Sequence, residues 1–183
     1  MKTLVINLPD RKDRMQRFNA NNPYLEYELF KAVEGHKIGY DKLLSQGFDT
    51  DHDWIDPILK TPLTKGEVGC FLSHWHLWNK CIEKNEPIIV LEDDAILTDK
   101  FDVEEISKLK YDFVYLGWKE MDKSKEINDD LVIPVYPYWT LAYMIRPDAA
   151  RVLVNNVIKR NIIPVDEYLP LKMPEIKVAG YKE

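Results

Sequence analysis

Ile88-Ile89-Val90-Leu91-Glu92-Asp93-Asp94 is the most informative stretch of the chain, because four apolar residues run directly into three carboxylates. A continuous apolar run of this length is typical of a strand that is buried on both faces of an α/β sheet. Nothing in the stability of a strand requires three adjacent carboxylates, which repel one another. Ligands of open α/β sheets bind beyond the carboxyl ends of strands, so this strand end is a candidate site.

The segments around this strand alternate between helical and extended patterns. Thr64 and Glu67 have the spacing of a capping box, and apolar residues follow at three- and four-residue intervals as far as Ile82, which predicts a helix. Further strands are expected at residues 4–6, 27–33, 112–117, 131–136 and 139–145. Two more helices are expected, one capped by Asp10 and one starting at Pro147, with Val157 and Ile158 on its apolar face. This alternation predicts one α/β domain over residues 1–183.

Composition excludes several classes of protein. The 25 basic and 31 acidic residues give a net charge of −6, which disfavours a nucleic-acid partner. Cys70 and Cys81 lie eleven residues apart on one predicted helix, roughly 16 Å, so they cannot form a disulfide. No apolar segment is long enough to span a membrane, so we expect a cytoplasmic protein that could still contact a membrane peripherally. Residues 37–62 are expected to be a surface excursion that includes one short helix. Residues 119–130 are expected to be a charged, solvated segment.

The acidic strand end has the ligand chemistry of a hard divalent cation, Mn²⁺ or Mg²⁺. If the extended geometry continues, Glu92 and Asp94 share one face and are the expected metal ligands. Such a cation completes its shell with water and phosphate oxygens, so a sugar-nucleotide is a natural ligand. A solvated acidic loop without metal is the alternative. Arg11 and Arg14 could contact the phosphates or simply be solvated.

The helix that begins at Thr64 carries further candidate residues. At 100° per residue Glu67 and His74 lie close together, so they could hydrogen-bond or face a common pocket, whereas His76 points to the opposite side. A histidine with a purely structural role at the edge of the core is the alternative. Trp118 and Trp139 adjoin strand ends and could stack on a sugar or base, or pack there.

Taken together, these residues resemble glycosyltransferase family 25, which includes lipooligosaccharide and procollagen galactosyltransferases. The resemblance is carried by residues 5–8, 32–35, 63–74, 89–95, 115–117, 140–143 and 164–166. The block from Gly66 to His74, followed by Leu91-Glu92-Asp93-Asp94, is its most specific part. The resemblance implies a GT-A-like Rossmann-type sandwich with a mostly parallel central sheet, a UDP-sugar donor and a divalent metal.

The resemblance also implies roles for individual residues. The implied donor-binding residues are Asn7, Arg11, Arg14, Glu34, Glu67, Ser73, Glu92 and Asp93. The implied metal ligands are Glu92 and Asp94, in a DxD-like role. His74 lines the implied site, and Asp166 or Glu167 is the implied base.

The sequence departs from the family pattern in two places. Glu34 stands where the family generally has Asp, and the chain ends at Glu183, soon after the Pro-Val-Asp block. We therefore expect a donor and metal part over about residues 1–145 and a shortened acceptor part over about residues 146–183.

The expected function is metal-dependent, inverting transfer of a hexose, galactose or glucose, from a UDP-sugar to a saccharide acceptor such as lipopolysaccharide or lipooligosaccharide. A non-catalytic module that binds a sugar-nucleotide or a glycan is the first alternative. A metal-dependent phosphohydrolase, which would use water as the nucleophile at the same carboxylates, is the second alternative.

Overall fold

The computed structural model describes residues 1–57, 60–155 and 162–182. Its strands are β1 (Lys2–Asn7), β2 (Glu28–Lys31), β3 (Ile88–Glu92), β4 (Phe113–Asp122), β5 (Lys125–Glu126), β6 (Leu131–Ile133), β7 (Tyr136–Ile145) and β8 (Val178–Tyr181). Its helices are α1 (Lys12–Asn21), α2 (Tyr40–Ser45), α3 (Lys65–Lys84), α4 (Val103–Lys108), α5 (Pro147–Asn155) and α6 (Val165–Lys172). Short 3₁₀ turns cover Gly35–Lys37 and Met173–Glu175.

The strands form one sheet in the order β2-β1-β3-β7-β4-β8-β6-β5. The expected parallel pairing holds for β2-β1-β3 and for β4 with β8. β7 pairs antiparallel with both β3 and β4, and β6 pairs antiparallel with β5 and β8. The α/β class is confirmed, and the antiparallel β7 brings its first residues to the same edge as the carboxyl ends of β1, β3 and β4.

Helices cover both faces of the sheet. One core lies between the sheet and α3, α5 and α6, and its largest buried side chains include Phe71, Trp78 and Tyr143. A second core lies between the opposite face and α1 and α4, around Phe18, Ile89 and Leu91. The continuous apolar run of β3 is therefore explained, since its alternate residues enter the two cores.

The long helix α3 begins where the capping box predicts. Thr64 Oγ1 accepts from the backbone of Glu67, and the Glu67 carboxylate accepts from the backbone nitrogen of Thr64 at 2.6 Å. Gly69 then lets the helix approach the loop after β2 closely, because a Cβ there would lie 2.5 Å from the carbonyl oxygen of Val33. Sequence and tertiary contact thus agree on the position of the helix that carries His74.

Several local expectations need correction. Asp10 does not cap α1, because the N-cap is Arg11, which makes no side-chain capping bond. Residues 119–130 are mostly exposed, as expected, but part of the segment forms strands, since β4 continues to Asp122 and pairs with β7, and β5 follows. The surface excursion of residues 37–62 contains one short helix, α2, as expected. Val157 and Ile158 lie outside the described residues.

Two further expectations concern a disulfide bond and a membrane-spanning helix. Cys70 and Cys81 are both free thiols, as their helical spacing predicts. Among the described residues, no helix is both long enough and apolar enough to cross a bilayer.

Candidate active site at the carboxyl edge of the sheet

The first group of site residues, which we call the arginine cluster, comprises Asn7, Arg14, Asp93 and Asp94. Asp93 is 7% exposed; it accepts from Asn7 Nδ2 at 2.6 Å and from Arg14 Nη2 at 2.8 Å. Burial raises the pKa of Asp93, and the bonds from Asn7 and Arg14 oppose that shift. Asp94 is 51% exposed and accepts from Arg14 Nη2 at 2.6 Å.

The extended geometry of β3 does not continue through the acidic run. The chain turns after Glu92, whose carbonyl oxygen accepts from the nitrogen of Ala95 at 3.1 Å. The condition under which Glu92 and Asp94 would share a strand face is therefore not met. Asp94 instead joins Asp93 beside Arg14, and ligation of a metal by Glu92 and Asp94 stays a prediction.

The second group, which we call the histidine cluster, comprises Cys70, His74, Glu92 and Tyr143. His74 is fully buried; its Nε2 lies 3.4 Å from Glu92 Oε1, and its Nδ1 lies 2.9 Å from the hydroxyl of Tyr143. That hydroxyl also accepts from Trp78 Nε1 at 3.0 Å. Cys70 Sγ lies 4.0 Å from the same oxygen of Glu92. Burial raises the pKa of the Cys70 thiol well above its usual range, and the charge of Glu92 adds to this.

Helix α6 brings both candidate bases to this edge of the sheet. The Thr140 hydroxyl donates to Asp166, and the Tyr136 hydroxyl donates to Glu167 at 2.7 Å. Burial, assisted by the nearby charge of Glu92 and opposed by the hydrogen bond from Thr140, raises the pKa of Asp166 to about 6. Asp166, Glu167, Glu67 and Cys70 line one small cavity of about 70 Å³.

The remaining predicted residues have structural partners of their own. Arg11 forms a two-pronged pair with Asp13 at 3.0 Å, and Glu34 pairs with Lys37. Ser73 donates to the carbonyl of Gly69 at 2.7 Å and accepts from the nitrogen of Val33 at 2.8 Å.

The suggested pairing of Glu67 with His74 is wrong. The carboxylate of Glu67 is used by the capping box, while His74 faces Glu92 and Tyr143. His76 is exposed, as its helical position predicts.

A larger cavity of about 620 Å³ lies on the other face of the sheet, beside α4. Ala95, which follows Asp94 directly, lines it together with Leu116, Ala142 and Tyr181. Trp118 is buried there and donates to the carbonyl of Tyr181 at 2.9 Å, so it packs at a strand end. Trp139 is 48% exposed, with Lys119 above its ring.

Sequence reasoning missed several residues of this site. The sequence pattern gives Cys70 no role beyond its place on the helix, and it gives Thr140 and Tyr143 none beyond a matching block. For Tyr136 it predicts only a strand. Their contacts depend on the register of β7 against β3 and on the position of α6, for which local sequence carries no signal.

The sequence profile of glycosyltransferase family 25, described as an LPS biosynthesis protein, matches residues 1–135. The chain belongs to glycosyltransferase family 25. The matched range contains the arginine cluster and, from the histidine cluster, Cys70, His74 and Glu92. Family membership and the structure together confirm the GT-A-like α/β fold class.

Three relatives have nearly the same similarity to this chain. A glycosyltransferase 25 family member of Aedes aegypti is 34% identical over 181 residues, 91% of this chain and 30% of that protein. Procollagen galactosyltransferase 1-B of Xenopus laevis is 34% identical over 197 residues, 98% of this chain and 32% of that protein. Inactive glycosyltransferase 25 family member 3 of Homo sapiens is 34% identical over 197 residues, 99% of this chain and 33% of that protein.

The chain therefore spans about a third of the length of the curated relatives it matches. Equal identity to a relative named as a galactosyltransferase and to one named inactive means that similarity alone does not separate transfer from binding. Geometry and chemistry at the site have to make that distinction.

Proposed function

We propose that this chain is a metal-dependent, inverting glycosyltransferase that moves a hexose from a UDP-sugar to an acceptor hydroxyl. The position of Asp166 carries the proposal. This largely buried carboxylate is held by Thr140, faces the cavity that Glu67 lines, and lies near the Glu92 end of β3. If the acidic end of β3 were purely structural, it would not need the additional carboxylate that Asp166 of α6 places near Glu92.

Asp166 fits the base that an inverting transfer needs. The base removes the proton of the acceptor hydroxyl as that oxygen attacks the sugar carbon and the bond to UDP breaks. A pKa of about 6 makes Asp166 ionised at neutral pH and a stronger base than an ordinary carboxylate. Glu167, which is tied to the Tyr136 hydroxyl, is the alternative base.

The donor side of the proposal rests on the arginine cluster and the cavity next to it. Arg14 is the cation nearest the carboxylates that end β3, and a donor diphosphate could replace Asp94 as its partner. The cavity of about 620 Å³ beside Ala95 is within the size range of small-molecule sites.

Carboxylate oxygens fit a hard cation, Mn²⁺ or Mg²⁺, for which Glu92 and the half-exposed Asp94 are the proposed ligands. When bound, that cation would neutralise the charge of the departing diphosphate.

Galactose is the sugar that we favour over glucose, because relatives of this chain are named procollagen galactosyltransferases. The family description, an LPS biosynthesis protein, supports a saccharide acceptor such as lipopolysaccharide or lipooligosaccharide. A cytoplasmic location, possible contact with a membrane surface and the absence of a nucleic-acid partner remain part of the proposal.

The decisive experiment combines purified chain, Mn²⁺, UDP-galactose or UDP-glucose, and a saccharide or a procollagen peptide as acceptor. We expect release of UDP that depends on both metal and acceptor, with UDP-galactose the faster donor. Calorimetry with each UDP-sugar is the parallel measurement. Absence of binding to every UDP-sugar, with and without metal, would refute the proposal.

A non-catalytic sugar-nucleotide-binding module is the second candidate, favoured by the equal identity to relatives named inactive. It predicts UDP-sugar binding without turnover on any acceptor. Release of UDP at a rate that added acceptor does not change would instead indicate hydrolysis.

A further inference from the structure

Three side chains of different chemistry converge on one point between α3 and the end of β3. Cys70 and His74 are one turn apart on α3, and Glu92 ends the neighbouring strand. One ligand atom from each of the three lies within 4.8 Å of both others. Sulfur, imidazole nitrogen and carboxylate oxygen at this separation form a set that can surround a single ion.

We propose that Cys70, His74 and Glu92 form a site for a borderline transition-metal ion such as Zn²⁺, distinct from the oxygen-ligated cation proposed at the β3 end. Tetrahedral zinc has bonds of about 2.0–2.3 Å, which separate its ligand atoms by about 3.3–3.6 Å. The nitrogen of His74 and the oxygen of Glu92 are already 3.4 Å apart. The sulfur of Cys70 lies 4.0 Å from that oxygen and within 4.8 Å of the ligand nitrogen of His74, so it needs to move by up to about 1 Å.

The surroundings of His74 hold its ring in the orientation that a metal ligand requires. The hydroxyl of Tyr143 contacts Nδ1 and is itself fixed by Trp78, which leaves Nε2 directed towards Glu92 and Cys70. Histidine ligands of metals commonly donate their second N–H to an oxygen nearby. A bound ion would therefore select the tautomer in which Nδ1 donates to Tyr143 and the lone pair of Nε2 faces the ion.

The two proposed cation sites differ in ligand chemistry. Thiolate and imidazole favour zinc or cobalt, whereas manganese and magnesium prefer oxygen ligands. The new site uses Oε1 of Glu92, which leaves the other oxygen for the cation beside Asp94.

Of the three proposed ligands Cys70 lines a cavity of about 70 Å³, which offers space for a water molecule that could be the fourth ligand. Three protein ligands and an open position are the arrangement of catalytic rather than structural zinc sites. Asp166 faces the same cavity and could accept a hydrogen bond from that water.

Cobalt provides the test, because a cobalt–thiolate bond absorbs in the near ultraviolet. The chain, stripped of metal with a chelator, is titrated with Co²⁺ alone. We expect one equivalent to produce the thiolate band, Zn²⁺ to remove it, and equal concentrations of Mg²⁺ or Mn²⁺ to leave it. Cys70→Ser should abolish the band, whereas Cys81→Ser, which changes the other buried thiol of α3, should retain it.

A second measurement needs no variant that could fail to fold. Zn²⁺ should slow alkylation of Cys70 in the unmodified chain at least tenfold, as followed by peptide mass spectrometry, and Mg²⁺ should not. Absence of a thiolate band, a band that survives Cys70→Ser, or an unchanged alkylation rate would overturn the proposal. None of these readouts depends on sugar transfer. A negative result would therefore reject the zinc site and leave the proposed transferase function to be tested by UDP release.

Discussion

The two clusters that flank the end of β3 balance their charges differently, although consecutive residues contribute to them. In the arginine cluster, Asp93 and Asp94 share the guanidinium of Arg14. In the histidine cluster, Glu92 has His74 and Cys70 as its contacts. Within the part of the chain that the structure describes, no side-chain nitrogen of a lysine or arginine lies within 4.0 Å of a carboxylate oxygen of Glu92.

The difference arises from the backbone. Glu92 is still part of β3 and faces the α3 side of the sheet, whereas the turn that follows directs Asp93 and Asp94 towards Asn7 and α1. One acidic motif thus contains carboxylates whose charge an arginine balances and one carboxylate that can still accept a cation. We infer that the buried Asp93, held by Asn7 and Arg14, maintains the fold, whereas Glu92, with Asp166, performs chemistry.

The strongest test of this division is Asp166→Asn, which keeps the shape of the side chain and removes its basicity. We expect kcat for sugar transfer to fall about 100- to 10,000-fold, the range of a lost general base. UDP-sugar binding, measured by calorimetry, should be unchanged because the arginine cluster is intact.

Glu167→Gln is the matched control on the same turn of α6. Its transfer rate should fall less than tenfold. A larger loss in Glu167→Gln than in Asp166→Asn would assign the base to Glu167 instead.

Arg14→Met tests the other side of the comparison. Asp93 would keep only its bond from Asn7 and become a largely buried carboxylate without a cation. We expect a loss of about 2–3 kcal/mol in the free energy of unfolding, somewhat below the cost of breaking a fully buried pair, because Arg14 is 27% exposed. Urea unfolding measures this loss.

Arg17→Met provides the control on the same helix. Arg17 is 71% exposed and its only ion pair among the described residues is with Asp13, at 3.5 Å, so its loss should cost less than about 1 kcal/mol. Equal destabilisation by the two variants would mean that Arg14 acts through general helix packing rather than through Asp93.

The division into two clusters could not have been predicted from sequence, although the helix, the strand and the acidic strand end that form them could. The capping box at Thr64, the buried strand of Ile88 to Leu91 and its acidic end are all encoded by neighbouring residues, and the structure has them where expected. The turn after Glu92 is different, since beside the backbone bond from Ala95 it is held by Asn7 and Arg14, which lie far earlier in the chain. An extended continuation was equally compatible with the sequence.

Long-range pairing accounts for the other failures. Residues 119–122 are exposed, as their charge predicts, yet they belong to a strand because β7 pairs with them and extends β4. The partner of His74 could not be found by projecting one helix, because Tyr143 comes from β7, 69 residues further along the chain. The helical projection places Glu67 beside His74, but the Glu67 carboxylate accepts a hydrogen bond from Thr64 at the start of its own helix.

Asp166 also predicts how stability depends on pH. Its carboxyl has a pKa of about 6 in the folded chain against an ordinary value of 3.8, so between these values the folded state holds a proton that the unfolded state has lost. Stability from this group is present below pH 4 and is lost as the pH rises through 6.

Asp166→Asn should therefore be more stable than the unmodified chain by about 2–3 kcal/mol at pH 7, with the difference disappearing near pH 4. Urea unfolding at several pH values measures it. A difference that is constant across this pH range would show that ionisation of Asp166 does not cause the effect.

Asp94→Ala should have the smallest effect on the fold, because a half-exposed carboxylate that shares its arginine with Asp93 contributes little. We expect the free energy of unfolding to change by less than about 1 kcal/mol, the range of surface ion pairs. Metal-dependent UDP-sugar binding should nevertheless be lost, since Asp94 is the carboxylate of the arginine cluster most accessible to a cation. Calorimetry with and without Mn²⁺ separates the two effects. If metal-dependent binding survives while stability falls by more than about 1 kcal/mol, Asp94 belongs with Asp93 to the fold, and Glu92 alone of the three is left to meet the cation.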